Sequence, residues 1–239
     1  MPPELTTREN CRFIPVFQTD VYMPTTRKPQ QADTRQRLID AAGAIFAEHG
    51  FQTATIREIC QRAEANVAAV NYYFYGKQDL YTAVCEHWAH LALQKYPPTL
   101  GLGESPTPEE RLRAFIRSFL YRLLDQGRPA WHGKLLAREM ANPTTALDKL
   151  IHDVYRPLFD LLADTVRLLL GPGADDEQVR LCTRSIMGQC LFYHHARPVV
   201  QRMSPELTFA PADIERLAEH ITAFSLGAIK QLTDTRISE

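Results

Sequence analysis

The sequence predicts an all-α chain in which a small N-terminal unit of three helices, built around a helix-turn-helix, precedes a larger helical domain. Three observations carry this. Apolar residues return every three or four positions from Leu38 to Leu232, and no stretch alternates with a period of two. Between Thr55 and Lys77 two short helices follow one another so closely that only a sharp turn fits between them. The segment Leu100 to Pro108 gathers glycine and proline and divides the chain. The expected organisation is an arm over residues 1–31, a helix-turn-helix domain over 32–96 and a helical domain over 105–235.

Composition removes several classes of function. With 239 residues, 45% of them hydrophobic, the chain can bury a substantial core. Its net charge of −1 provides no overall attraction for nucleic acid, so any such attraction depends on local placement. Between Pro24 and Leu80 seven basic residues face six acidic ones, which neither supports nor opposes a polyanionic partner. Cys11, Cys60, Cys85, Cys182 and Cys190 are odd in number and form no C-x-x-C pair, and no apolar run marks a leader or a membrane span. A cytoplasmic protein without metal, cofactor or membrane partner is expected. No nucleophile with its base, no phosphate-cradling glycine loop and no paired carboxylates appear, so no catalytic residues are assigned.

Residues 1–31 hold five prolines and no helical period, and are expected to be a disordered arm. Met23 as the true start is the alternative, and Arg27 and Lys28 are placed to reach a minor groove. Asp33 with Gln36 opens the first helix, whose stripe is Leu38, Ala41, Ala42, Ile45 and Phe46, and Gly50 closes it. Thr55 and Glu58 form a capping box for the next, with Ile56, Ile59, Cys60 and Ala63 inward. Asn66 caps the third, which turns Val67, Val70 and Phe74 inward.

What this third helix leaves outward is Ala68, Ala69, Asn71, Tyr72 and Tyr73, followed by Lys77. Small side chains let a backbone approach base edges and thymine methyls, while phenols and an ammonium reach flanking phosphates. Thr55, Arg57, Asn66, Val67, Ala68, Ala69, Asn71, Tyr72, Tyr73 and Lys77 are therefore the candidate DNA-binding residues, with a double-stranded operator as partner.

Beyond Lys77, a helix carrying Leu80, Val84, Trp88 and Leu91 runs to Pro97-Pro98. Thr107-Pro108-Glu109-Glu110 combines a capping box with proline at the first helical position, and Leu112, Phe115, Ile116, Phe119, Leu120 and Leu123 follow to Gly127. A shorter helix from Ala130 to Ala141 carries Trp131, Leu135, Leu136 and Met140. The next spans Thr145 to Leu170, with Leu147, Leu150, Ile151, Val154, Leu158, Leu161, Leu162 and Leu169 inward and a kink expected at Pro157. Two last helices, Asp176 to Arg197 and Ala212 to Leu232, flank a loop with three prolines.

Gly50-Phe51, Thr55-Ile56 and Ile59, followed by Val67, Tyr72-Tyr73-Phe74, Lys77 and Leu80, resemble the DNA-binding domain of TetR-type regulators across Thr34 to Leu91. The chain departs at Glu64, where glycine is usual in the turn, at Ala68, and at Tyr75-Gly76 in place of Gly-Ser. A side chain at Glu64 suits left-handed backbone less well than glycine, so the turn is expected to open slightly and shift the helix after it. Arg138 to Thr144 (R-E-M-A-N-P-T) and Ser185 to Tyr193 (S-I-M-G-Q-C-L-F-Y) resemble the C-terminal domain of the CecR-like branch.

The resemblance implies a homodimer that pairs its last two long helices, and a repressor of efflux, transport or detoxification genes that a small molecule releases from a palindromic operator. On it, Ile186, Cys190, Leu217, Ile221, Phe224 and Ala228 are expected at the dimer interface. Trp131, His132, His152, Tyr155, Gln189 and Tyr193 are expected to line a site for a small, partly aromatic, uncharged or weakly charged effector. The alternative is a DNA-binding protein that works through a protein partner without an effector.

Overall fold

The computed structural model describes residues 29–125 and 131–237, with side chains over 33–125 and 133–235. The described residues are helical with no strand. Four helices form the N-terminal unit: α1 (Pro29–His49), α2 (Ile56–Arg62), α3 (Val67–Phe74) and α4 (Lys77–Lys95). Seven follow: α5 (Pro108–Leu124), α6 (Trp131–Ala141), α7 (Thr145–Leu150), α8 (Arg156–Leu170), α9 (Asp176–His195), α10 (Arg197–Met203) and α11 (Pro211–Ile237).

α1 begins at Pro29, four residues before the expected Asp33 start, so the arm loses its last three residues to the helix. Proline suits a first helical position, where its missing N–H has no intrahelical partner to lose. The rest of the arm, with Cys11, Arg27 and Lys28, lies outside the described residues. Leu38, Ile39, Ala42, Ile45 and Phe46 of α1 are fully buried against α4, and Gly50, at φ +82°, ends the helix where a side chain would be strained. α4 presents Leu80, Tyr81, Val84, Cys85 and Ala92 to the core, whereas Leu91, expected inside, is exposed. Its last turn is tied to α5, since Ser118 and the Arg122 guanidinium both donate to the Tyr96 carbonyl.

The box at Thr107 is complete: its hydroxyl accepts from Glu110 N–H at 3.2 Å and the Glu110 carboxylate accepts from Thr107 N–H at 2.8 Å. α5 then packs between α8 and α11, burying Leu112, Phe115, Ile116, Leu120 and Leu124.

Around Pro157 the helix is not simply kinked. Residues Ile151–Tyr155 form a π-helical turn between α7 and α8, and Arg156 N–H reaches back five residues to Ile151 O. Proline cannot donate to its own i−4 carbonyl, and widening the turn before it re-registers the ladder. The extra residue per turn also rotates Ile151 to the surface, 40% exposed rather than inside, and Met140 of α6 is likewise outward. The proline-bearing stretch after α9 contains α10, with Pro198 in its first turn rather than in a loop.

Candidate nucleic-acid interface

α2 and α3 have seven and eight residues, far short of the roughly 12–15 that an isolated helix needs in water, so caps and anchors hold them. The Thr55 hydroxyl accepts from Glu58 N–H at 3.2 Å, while the Glu58 carboxylate pairs with His49 at 3.3 Å. The Asn66 side chain accepts from Ala68 N–H at 2.9 Å. Val70 and Phe74 are buried, each contributing roughly 1.5–3 kcal/mol, and the Arg35 guanidinium lies 5.2 Å from the Phe74 ring centre.

The turn between α2 and α3 does not open. Glu64 is left-handed at φ 49°, Ala65 N–H donates to Cys60 O at 2.9 Å and Glu64 N–H to Gln61 O at 3.3 Å. These two bonds make the six-to-one and five-to-two pairing that ends many helices on glycine. Glu64 bears the strain, and the backbone geometry is the one glycine would give.

With both ends fixed, α3 displays Asn66, Val67, Ala68, Asn71 and Tyr72, while Ala69 and Tyr73 are half-buried. Val67, expected inward, is 48% exposed. A helical side chain covers the turn N-terminal to its own Cα, and the first residue of a helix has no such turn to cover. The Tyr72 and Tyr73 rings meet edge to face at 4.8 Å, which fixes the exposed phenol against its neighbour. Arg57 is exposed on α2.

Lys77 is a correction. Its ammonium donates to Gln52 O at 3.1 Å and lies 4.8 Å from the Phe51 ring centre, so it ties the start of α4 to the α1–α2 turn rather than reaching out to a phosphate. The residue that does reach out is Tyr75, the C-cap of α3, left-handed at φ 54° and 88% exposed. It falls just beyond the helix and outside the candidate DNA-binding residues; the signal for it in the sequence is a bulky residue where glycine is usual. An open groove of about 460 Å³ beside the turn is lined by Arg37, Asp40, Ala41, Ala44, Arg62, Ala63 and Glu64. Its two guanidiniums face two carboxylates, which cancels its pull on an anion.

The expected effector residues scatter. Trp131 and His132 have side chains outside the described residues. His152 is turned to solvent, 83% exposed, and pairs with its neighbour Asp153. Tyr155 sits beside Cys85 and Glu139, and burial, with those groups adding, pushes its hydroxyl up to about 12. Gln189 points to α11, donating to the buried Ser225 hydroxyl at 3.4 Å, and is a packing residue between helices. Tyr193 is half-buried near the end of α9.

Four of the six expected dimer residues are also corrected. Ile186, Cys190, Leu217 and Ile221 are at most 8% exposed within one protomer, packed toward α5 and α8. Phe224, 62% exposed, and Ala228 do face outward, with Leu181 and Phe192 of α9 and Leu232 of α11.

Residues 38–84 match the bacterial regulatory proteins of the tetR family, and residues 108–229 match the C-terminal domain of the HTH-type transcriptional dual regulator CecR. A CecR from Shigella flexneri is 30% identical over 208 residues, 82% of this chain and 91% of that one. The chain belongs to the TetR family. A TetR-type relative from Pseudomonas putida, the transcriptional repressor NicS, is 29% identical over 86% of this chain and 95% of its own length. The TetR-family regulator PfmR from Thermus thermophilus shares the fold, with a TM-score of 0.56 over 80% of this chain and 95% of that one at 16% identity. As a member of the TetR family the chain is a DNA-binding transcriptional regulator and not an enzyme. Among the described residues no helix is long and apolar enough to cross a membrane.

Proposed function

We propose that this TetR-family chain is a cytoplasmic repressor that binds a two-fold duplex operator as a homodimer and leaves it when a small molecule enters the second domain. The observation that carries the reading is the outward surface of α3, where Val67, Ala68 and Asn71 lie between a capped N-terminus and the exposed Tyr72 and Tyr75. Small side chains bring the helix close to base edges, and the phenols suit the sugar-phosphate walls on either side. One such face spans only a few base pairs, so specificity calls for two copies. The outward apolar residues of α9 and α11, with Gly188 and Gly227 exposed beside them, support pairing through that face. The name of the relative NicS supports repression. The half-buried phenols Tyr155 and Tyr193 favour a partly aromatic, weakly charged effector.

The test is selection of duplexes from a random pool by the purified protein, followed by anisotropy titration of the recovered sequence. A palindrome bound by two chains supports the reading. Recovery of unrelated sequences with equal affinity would oppose it.

A further inference from the structure

The segment Arg138–Thr144, at the end of α6, grips the N-terminal unit at two places. Arg138 Nε donates to Ala47 O at 3.1 Å and its Nη2 to Glu48 O at 3.0 Å, capping the last carbonyls of α1 with a cation. The fit is close, because a Cβ on Gly50 would meet Arg138 Nη1 at 3.0 Å. One residue on, Glu139 is 1% exposed and accepts from Tyr81 Oη at 2.7 Å and from Thr144 N–H at 2.8 Å. A buried carboxylate this well supplied with donors holds its partners in one arrangement. Tyr81 packs on the Phe51 ring at 5.0 Å, and Phe51 lies under the ammonium of Lys77, three residues beyond the end of α3. An unbroken series of contacts thus runs from α6 to the corner after the recognition helix.

We propose that Arg138 and Glu139 are positioning residues that set the angle of the reading head, and with it the spacing of operator half-sites the dimer accepts. This rests on the reading of the chain as a dimer on a two-fold operator. One inserted base pair moves a half-site by about 3.4 Å and rotates it by about 34°. A head clamped to α6 cannot follow that change. A head released from that clamp, still resting on α7 through α4, follows the change more readily, at the cost of the ordering that the clamp supplies beforehand.

The experiment compares wild type, Arg138→Ala, Arg138→Lys and Tyr81→Phe on duplexes selected by the wild-type protein, with and without one base pair inserted at the centre. Wild type should lose about 100-fold on insertion and Arg138→Ala about tenfold or less, with Arg138→Lys between them because its ammonium keeps the charge without the fork that spans both carbonyls. Should Arg138→Ala fail to fold, Tyr81→Phe decides, since it removes one hydroxyl and leaves the ring on Phe46 and Phe51. Variants that lose affinity uniformly while keeping the wild-type insertion penalty would overturn the proposal. A wild-type protein that bound no duplex would sink the DNA reading first, and this one with it.

Discussion

The recognition helix and the last two long helices expose their surfaces for different reasons. α3 buries one narrow stripe, Val70 and Phe74, keeps Ala69 and Tyr73 half-buried, and turns the rest outward, much of it small or polar. α9 and α11 bury Ile186, Cys190, Leu217, Ile221 and Ile229 and still show Leu181, Phe192 and Phe224 to solvent, at 54, 55 and 62% exposure. A hydrated, charged groove wants the first kind of surface; another protein face wants the second. The two surfaces therefore differ in chemistry, one suited to a groove and the other to a protein face.

That contrast can be broken by charge. Ala68→Glu should reduce operator affinity at least about 100-fold, because it sets a carboxylate against phosphates and bulk into the groove. It should leave folding intact or slightly improved, since an acidic side chain in the first turn of α3 favours the helix dipole. Circular-dichroism melting alongside anisotropy checks both halves. If the variant bound normally, α3 would not be the helix that enters the groove.

Within α11 the two faces should respond oppositely. Leu217→Ala should destabilise the protomer by about 2–5 kcal/mol, as buried leucine truncations do, read from urea unfolding. Phe224→Glu should leave protomer stability nearly unchanged yet turn a dimer into a monomer in sedimentation, with operator affinity falling in step. Equal destabilisation by both would erase the distinction.

A smaller effect concerns pH. Burial, with Glu139 adding, pushes the Cys85 thiol up to about 12. The raised pKa means that the folded state favours the neutral thiol, so this contribution is whole below the unfolded value near 8.5–9 and fades as pH rises toward 12. Cys85→Ala should flatten the loss of stability between about pH 9 and 11, measured by unfolding at each pH. The smallest effect belongs to the turn. Glu64→Gly removes a left-handed side chain worth about 1–2 kcal/mol and should raise the melting temperature by a few degrees without changing operator affinity. A shifted affinity would mean that the turn had not already reached the glycine-like geometry.

Much of the N-terminal unit is written locally. Thr55 and Asn66 announce their helices because a side-chain oxygen three or two positions before a free amide has few other uses, and Gly50 marks a left-handed exit. The same holds for Thr107 and Pro108. Faces were harder. Ile186, Cys190, Leu217 and Ile221 form a stripe as good as any interface, but a helix with apolar residues on two sides gives periodicity no means to say which side meets its own core. Pro157 announced an irregularity, and only the backbone shows that it is a π turn. Lys77 and Arg138 escaped for another reason. A flexible cation can reach solvent or a carbonyl, and the carbonyls they found, on Gln52, Ala47 and Glu48, belong to neighbours that only the tertiary fold brings near.

The most direct measurement of the central claim is the mass of the complex on the selected duplex, by analytical ultracentrifugation, for wild type and Ala68→Glu side by side. Two chains per palindrome for wild type, and a free dimer with unbound duplex for Ala68→Glu, are the predicted results. A single chain per duplex, or an Ala68→Glu complex of unchanged mass and affinity, would contradict a two-fold operator read through α3.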